Sequence, residues 1–428
     1  MKHNVSEHQV AGGASGLVIH VPGSDVVSMQ VRFNSGFQFA DLSKYEVPHV
    51  MEHVLATVTQ KHRKPNEFII DAQRNGAYVN ATTSVDSNGY VYESADFELN
   101  RILDLLEEQL AEPLFESISL KSEIGNVREE LTRNTTQHAT VCSVALSEQT
   151  FPHLWLNYDK RIEQLPDILV EDVQNHNRRT HTAANGRFVL AGNFPDGGLA
   201  VAKRINRIFE RLPVGERFVR SREMGRNLPG PVVTQRDIQQ FYYRVAMYFG
   251  ELTEAERRAL VLLRLVLVGG MGSRILGEAR QRGLAYHVAG AGHSEPGNSS
   301  FGFMGYVTPD NAQALFELMA REFAAVRDEG VTAAELEEAK DLLVGSIKRS
   351  TQTPGDLLGW YFDPYDESGE IRDFNESMEL LREVRGEAVM AVASKAVGSK
   401  RHGMSLLGDL NNKEALEFEK ALSPMWLS

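Results

Sequence analysis

The chain has 428 residues, 42% hydrophobic and 24% charged, which is the composition of a globular protein with ample length for more than one core. The 45 Lys and Arg residues against 58 Asp and Glu residues give a formal net charge of −13, which argues against nucleic acid or an anionic membrane as a partner. The single cysteine, Cys142, excludes an internal disulfide and a thiolate metal cluster.

No segment has the pattern of a targeting signal or of a membrane span. The first residues lack the apolar core of a signal peptide, and they are neither rich in arginine nor free of acidic residues, as a transit peptide would be. No stretch reaches about 18 uninterrupted apolar residues. We therefore expect a cytoplasmic protein that does not contact a membrane.

The first half of the chain alternates between strand and helix patterns. Runs of β-branched and apolar residues predict strands, and apolar residues at helical spacing predict helices. The predicted strands lie at residues 17–21, 26–33, 77–84, 90–94 and 187–191. The predicted helices lie at residues 48–60, 66–74, 97–112, 119–134, 170–179 and 199–212.

The second half repeats this order of elements. The predicted strands lie at residues 240–249, 285–291, 301–307 and 403–407, and the predicted helices at residues 254–268, 273–282, 311–327 and 333–349. A shared order over two halves predicts a tandem duplication. The fold class is therefore α+β, with two homologous modules, each a mainly antiparallel sheet packed with helices. The modules are predicted at residues 1–220 and 232–428, joined by a linker at 221–231 that is rich in charge, Gly and Pro.

Two histidines and a glutamate cluster on the predicted helix at 48–60. On a helix, His53 lies about 40° from His49, and Glu52 lies about 60° from His49 on its other side, so the three polar groups share one arc of the surface. Apolar residues fill the opposite side and can pack on a sheet. Two imidazoles four residues apart can bind a single metal ion, and a catalytic zinc needs one more protein ligand.

The predicted helix at 119–134 supplies candidates for that third ligand. Glu123 and Glu130 are seven residues apart, so they lie within about 20° of each other on one face, whereas Glu129 points away from them. Carboxylates on a helix are usually solvated, and two histidines four residues apart can arise by chance. The residues of these two helices alone therefore leave an ordinary surface role open.

This set resembles the zinc site of the pitrilysin family, whose inverted motif is H-x-x-E-H. The family places its third ligand, a Glu, at the spacing found here, where 76 residues separate His53 from Glu130. The resemblance implies that His49, His53 and Glu130 hold one zinc ion per chain and that Glu52 is the general base. It also implies that Glu123, which matches a further Glu of the family, stabilises the metal ligands without binding the metal itself.

The segment after the metal helix also resembles the family. There, a strand with the pattern Asn-Ala-x-Thr pairs with the extended substrate, and Asn80, Ala81 and Thr83 match that pattern. An ordinary edge strand with no substrate is the alternative interpretation of these residues.

A third similar segment lies in the second half, where the family has an Arg and a Tyr that contact the substrate backbone near the zinc. Tyr286 matches the Tyr, and with zinc it would stabilise the oxyanion. Ala279 stands at the family's usual Arg position. A one-residue deletion makes Arg280 the equivalent, and Arg282 is the second choice.

The resemblance implies a zinc-dependent endopeptidase that cleaves extended or unfolded peptides, bound by β-augmentation, inside a chamber. The alternative is a catalytically weak or noncatalytic peptide-binding subunit of a heteromeric processing peptidase, although such subunits have lost the metal residues that this chain keeps. The chain is most similar in plan to the short two-module members related to mitochondrial processing peptidase. Because family chambers contain four modules, we expect a homodimer, or a heterodimer with a related chain.

Overall fold

A computed structural model of the chain describes residues 1–64, 66–295 and 297–426. Within these residues the strands are β1 (Asn4–Gln9), β2 (Ser15–His20), β3 (Val26–Phe33), β4 (Tyr78–Thr83), β5 (Asn88–Ala95), β6 (Gly186–Gly192), β7 (Val232–Gln235), β8 (Phe241–Phe249), β9 (Val288–Glu295), β10 (Asn298–Val307) and β11 (His402–Gly408). The helices are α1 (Val47–Leu55), α2 (Glu67–Ala72), α3 (Leu99–Ala111), α4 (Ser117–Asn134), α5 (His138–Thr150), α6 (Tyr158–Gln164), α7 (Val170–Thr180), α8 (Leu199–Glu210), α9 (Glu254–Val268), α10 (Arg274–Gln281), α11 (Pro309–Asp328), α12 (Ala333–Arg349), α13 (Pro354–Ser368), α14 (Phe374–Arg382), α15 (Gly386–Gly398) and α16 (Asn412–Leu422).

These elements form two sheets with the same topology. The first sheet has the order β1-β2-β6-β3-β5-β4 and the second has the order β7-β11-β8-β10-β9. Leaving β1 aside, the strands of each sheet follow one connectivity, with a single parallel pair, β2–β6 or β7–β11, and antiparallel pairs elsewhere. The predicted α+β class, with a duplicated and mainly antiparallel sheet, is therefore confirmed.

The chain divides into two compact units, each assembled from three segments. The first unit comprises Met1–Thr132, Tyr158–Ser221 and Lys348–Arg372, and the second comprises Arg133–Asn157, Arg222–Ile347 and Asp373–Ser428. These units differ from the continuous modules predicted at residues 1–220 and 232–428, because α5 belongs to the second unit and α13 to the first. The chain changes unit five times, and one of these changes, between Ser221 and Arg222, lies at the start of the segment predicted as a linker.

Apolar packing explains why these two helices belong to the other unit. Helix α13 buries an aliphatic and aromatic face against β2 and β6; this cluster contains Leu17, Ile19, Val189, Leu357, Leu358, Tyr361, Phe362 and Tyr365. Helix α5 contributes Leu146 to a cluster with Ala246 and Tyr248 of β8. Burying each apolar face outweighs keeping the helix with its neighbours in sequence.

Most predicted elements differ from the structure by one to three residues at an end, and two differ by more. The helix predicted at 48–60 ends at Leu55, because the β-branched run Thr57–Val58–Thr59 leaves the helix and Thr59 forms a β-bridge with Pro113. The strand predicted at 285–291 begins at Val288, so Tyr286 lies in the loop before it. In the described part of the chain, no helix is long and apolar enough to span a membrane.

Candidate metal centre

Helix α1 presents the two histidines of the motif. Pro48 lies in its first turn, where a missing backbone N–H has no consequence, and the polar side chains of His49, Glu52 and His53 follow at helical spacing. The other side of the helix is apolar and buried, with Val47, Val50, Met51, Val54 and Leu55 in the core of the first unit. This packing fixes the direction in which the two imidazoles point.

The three predicted ligands converge. The Oε2 atom of Glu130, on α4, lies 3.6 Å from Nε2 of His49 and 3.7 Å from Nε2 of His53. The three ligand atoms all lie within 4.8 Å of one another, and among the described residues this is the one such group of His, Cys, Asp or Glu side chains. Two imidazole nitrogens and one carboxylate oxygen are the donor set of a catalytic zinc site with an open fourth position, so these residues fit zinc.

A second carboxylate holds each imidazole from the other side of its ring. Nδ1 of His49 lies 2.9 Å from Oε2 of Glu46, and Nδ1 of His53 lies 3.2 Å from Oε2 of Glu123. With both Nδ1 atoms donating to carboxylates, both Nε2 atoms are free to bind a metal. The structure therefore places Glu123 beside His53 and Glu46 beside His49.

The charges of the site favour a bound cation or protons. Burial alone lowers the pKa of His49, but its interactions with the carboxylates of Glu130 and Glu46 outweigh burial and raise that pKa to about 10. Burial likewise lowers the pKa of His53, but bonds to Glu123 and Glu130 raise it to about 9. The same interactions with His49 and His53 lower the pKa of Glu130 well below its usual value. A metal ion that binds here therefore displaces protons from the imidazoles.

Glu52 is held by a chain of hydrogen bonds that starts in the sheet. The Thr83 hydroxyl donates to Oε2 of Glu52 at 2.5 Å, and Nδ2 of Asn88 donates to Oγ1 of Thr83 at 2.6 Å. The Ser35 hydroxyl in turn donates to Oδ1 of Asn88 at 2.7 Å. Each donor points toward the carboxylate, so the chain orients Glu52. Thr83, predicted to bind substrate, thus has a partner within the protein.

The other two residues predicted to bind substrate lie on β4, at an edge of the first sheet. Among the described strands, β4 pairs only with β5, so its outer backbone edge is open. Asn80 is exposed and Ala81 is half-buried on the face toward Thr83, as the alternation of a strand requires. An extended peptide can therefore add to this edge.

In the second unit, the structure distinguishes between the two candidate arginines. The Arg280 guanidinium lies over the Tyr286 ring, 4.2 Å from its centroid, and Nη1 of Arg280 donates to the Tyr286 carbonyl at 3.0 Å. Arg282 instead donates to Glu278 at 2.8 Å. The Tyr286 residue is 71% exposed, so it is open to a ligand. The geometry thus joins Arg280, not Arg282, to Tyr286.

Three residues that surround the predicted site residues were not predicted from the sequence. Glu46 could have been found from the sequence, because it precedes His49 by three positions and so lies beside it at the start of α1. Asn88 is fully buried next to Thr83, and Arg161 pairs with Glu46 across 115 positions of sequence. Neither of these contacts has a local sequence pattern that predicts it.

Two protein-family models match the chain. The model described as insulinase (peptidase family M16) matches residues 17–158, which include the whole metal centre. The model described as the peptidase M16 inactive domain matches residues 167–343, which include Arg280 and Tyr286. Together the two models cover most of the chain, and the second match begins before the predicted linker.

Proteins with similar sequences have been named as proteases. A Bacillus subtilis (strain 168) protein named as an uncharacterized zinc protease is 24% identical over 383 residues, which are 86% of this chain and 91% of that protein. A Mycobacterium leprae (strain TN) protein, also named as an uncharacterized zinc protease, is 22% identical over 421 residues, 95% of this chain and 92% of that protein.

Two solved structures share the fold over nearly their whole length. The peptidase M16 inactive domain from Pseudomonas fluorescens has a TM-score of 0.84 at 18% identity, covering 95% of this chain and 99% of that one. A protease from Helicobacter pylori has a TM-score of 0.83 at 16% identity, covering 95% of this chain and 100% of that one. At such identities these similarities concern the fold alone.

Proposed function

The chain belongs to the M16 family of peptidases, also called the pitrilysin or insulinase family, and from this premise we propose that it is a zinc-dependent endopeptidase. The observation that carries the proposal is the convergence of His49, His53 and Glu130 on one point, with Glu52 on the same helix as the two histidines. This combination contains the ligands and the base that metal-assisted peptide hydrolysis requires.

The chemistry divides between the metal and the chain. A zinc ion bound by the three ligands supplies Lewis acidity and lowers the pKa of water toward neutrality. Glu52 accepts a proton from the attacking water and delivers it to the leaving amine. Thr83 holds one oxygen of Glu52, and the other oxygen has no hydrogen-bond partner among the described residues, so it is available to the water. Tyr286, oriented by Arg280, would donate a hydrogen bond from its hydroxyl to the developing oxyanion of the substrate.

The proposed substrate is an extended or unfolded peptide. Its backbone would pair with the open edge of β4, beside Asn80 and Ala81, as an added antiparallel or parallel strand. A folded protein could not offer a free strand of this kind without local unfolding. The backbone of the peptide would supply most of the affinity, so we expect broad sequence tolerance.

Assembly and location complete the proposal. Each chain carries one metal motif and one Arg280–Tyr286 pair, and we propose that two chains form a homodimer with a shared chamber, or that a related chain takes the place of the second copy. The cytoplasm is the proposed compartment, and cell fractionation with an antibody to the chain tests it.

Cleavage of a mixed peptide library, followed by mass spectrometry, tests the proposed activity. Zinc-loaded wild-type chain should cut peptides internally, whereas Glu52→Gln should keep zinc and peptide affinity but lose most turnover, because an amide cannot accept the proton. Glu129→Gln is the matched control, since Glu129 is exposed on α4 next to a ligand. Near-normal turnover by Glu52→Gln would place the base elsewhere. Peptide binding without cleavage by the wild type would favour the noncatalytic subunit.

A further inference from the structure

Glu46 is a buried carboxylate with two partners of different kinds. The residue is fully buried, at 0% exposure, directly before the first turn of α1. One of its oxygens, Oε2, lies 2.9 Å from Nδ1 of His49, and the other, Oε1, accepts from Nε of Arg161 at 2.5 Å. Both acceptor atoms of this carboxylate are therefore used inside the protein, one by a proposed zinc ligand and one by an arginine.

Arg161, on α6, is held in place by aromatic rings. Its guanidinium carbon lies 4.9 Å from the ring centroid of Phe37, 5.4 Å from that of Tyr45 and 5.0 Å from that of Tyr158. The arginine side chain is only 8% exposed. Stacking on several rings restricts the guanidinium to one position, and that position faces Glu46.

The ion pair has a consequence for His49. A carboxylate buried without a counter-charge would be unstable as an anion, so Arg161 keeps Glu46 ionised and correctly placed. An ionised Glu46 has no proton to donate, so the ring proton of His49 must lie on Nδ1, which donates it in the hydrogen bond to Glu46. The lone pair of Nε2 is then directed toward Glu130. The side chain of His53 is held differently, because its carboxylate partner, Glu123, accepts from the Asn126 amide at 2.9 Å.

We propose that Arg161 is a positioning residue of the metal centre, which acts through Glu46 to fix the ring orientation and tautomer of His49 for zinc. This inference rests on the proposed function in that it takes zinc as the ion bound. The residue touches neither the metal ligands' Nε2 and Oε2 atoms nor the base. Its effect is on zinc affinity, and the loss of a partner behind a metal-binding histidine typically lowers affinity about 10- to 100-fold.

A double-mutant cycle on zinc affinity tests this inference. The variants are Glu46→Leu, Arg161→Met and the double variant, and the measurement is the zinc Kd of each purified chain by competition with a chromophoric chelator. Each single variant should bind zinc about 10- to 100-fold more weakly than wild type. The double variant should be no weaker than Glu46→Leu alone, because Arg161 then has no carboxylate through which to act. Arg161→Lys should recover part of the affinity.

The double variant also separates zinc affinity from folding. Arg161→Met alone leaves a buried unpaired carboxylate and so destabilises the fold, whereas replacing both partners by apolar side chains is often neutral or stabilising. Arg179→Met is the matched control, because Arg179 stacks on Phe218 but has no contact with Glu46. Wild-type zinc Kd in the folded double variant would overturn the inference and leave Arg161 a structural residue. Additive losses would show that Arg161 does not act through Glu46.

The outcomes also distinguish this inference from the proposed function. If wild-type chain fails to bind zinc, the proposed peptidase is wrong, whatever the variants do. If wild type binds zinc and cleaves peptides while the double variant binds zinc equally well, only the role of Arg161 is wrong.

Discussion

The Thr83 hydroxyl donates a 2.5 Å hydrogen bond to the Glu52 carboxylate and so ties the edge strand of the first sheet to the helix that carries the metal motif. Thr83 ends β4, and Glu52 lies in the middle of α1. A residue that a family pattern associates with substrate is thus joined to the proposed base. The same strand that would pair with a peptide orients the group that would activate water.

Thr83→Val should lower kcat with little change in zinc affinity. The substitution keeps the shape of the side chain and removes the hydroxyl, and a hydrogen bond to a charged group contributes about 1.5–3 kcal/mol. We expect kcat to fall about 10-fold or more. Thr82→Val is the control, because Thr82 is exposed and points to the other face of the strand. Equal kcat in both variants would mean that the bond does not orient Glu52.

Purified chain should contain one zinc ion, measured by elemental analysis against protein concentration. His49→Ala, His53→Ala and Glu130→Ala should each lose most of the zinc, because two remaining ligands hold the ion poorly. Glu129→Ala, which changes the exposed neighbour of Glu130, should keep it. Chelation should abolish cleavage, and full activity in chain shown to be metal-free would contradict the mechanism.

Arg280→Met and Tyr286→Phe should lower kcat/KM about 10-fold or more, as expected for the loss of one donor to a developing oxyanion or of the residue that orients it. Arg282→Met should leave kcat/KM near normal, because Arg282 pairs with Glu278 and not with Tyr286. Zinc content should be unchanged in all three variants. A larger loss in Arg282→Met than in Arg280→Met would reverse the assignment of the two arginines.

Two buried histidines of the first unit should make folding sensitive to acid. Burial lowers the pKa of His176 to about 4 and that of His181 to about 3, from an ordinary value of 6.5. Below pH 6.5 the unfolded chain binds protons at these residues while the folded chain does not. The free energy of unfolding should therefore fall as the pH drops from 6.5 toward 4.5, by up to about 1.4 kcal/mol per pH unit for each histidine.

Urea unfolding of the metal-free chain across that pH range measures this dependence. His181→Phe keeps the ring stacked on Phe33, and it should show a shallower dependence on pH, although losing the bond to Tyr90 lowers its stability at pH 8. His153→Phe, a change at an exposed histidine, should keep the wild-type slope. An unchanged slope in His181→Phe would exclude His181 as a source of the acid sensitivity.

Light scattering at concentrations where cleavage is measured should give the mass of a dimer. The physical reason is that one chain carries only two of the four modules that a family chamber contains, so closing a chamber requires a second chain. A monomer that cleaves peptides with normal efficiency would contradict the shared chamber. A monomer that becomes active only when a related chain is added would favour the heterodimer.

The sequence by itself predicted the duplication and the helix that carries the motif, and the family spacing predicted the three candidate metal ligands that the structure brings together. These features depend on local periodicity or on a fixed spacing, as with His49 and His53 at four residues and Glu123 and Glu130 at seven. Apolar runs likewise located most strands, since their side chains must alternate between core and surface. Their order over the two halves then predicted the repeated sheet.

Only the tertiary structure decided which distant residues support the site. Glu46 contacts Arg161, and Asn88 contacts Thr83, because of the way α6 and β5 pack. The sequence around a charged or amide side chain has no local pattern that predicts which distant residue it will contact. Tertiary packing also decides that α5 belongs to the second unit and α13 to the first. The apolar face of a helix is buried against whichever sheet has an uncovered apolar surface, and that sheet need not be the one nearest in sequence.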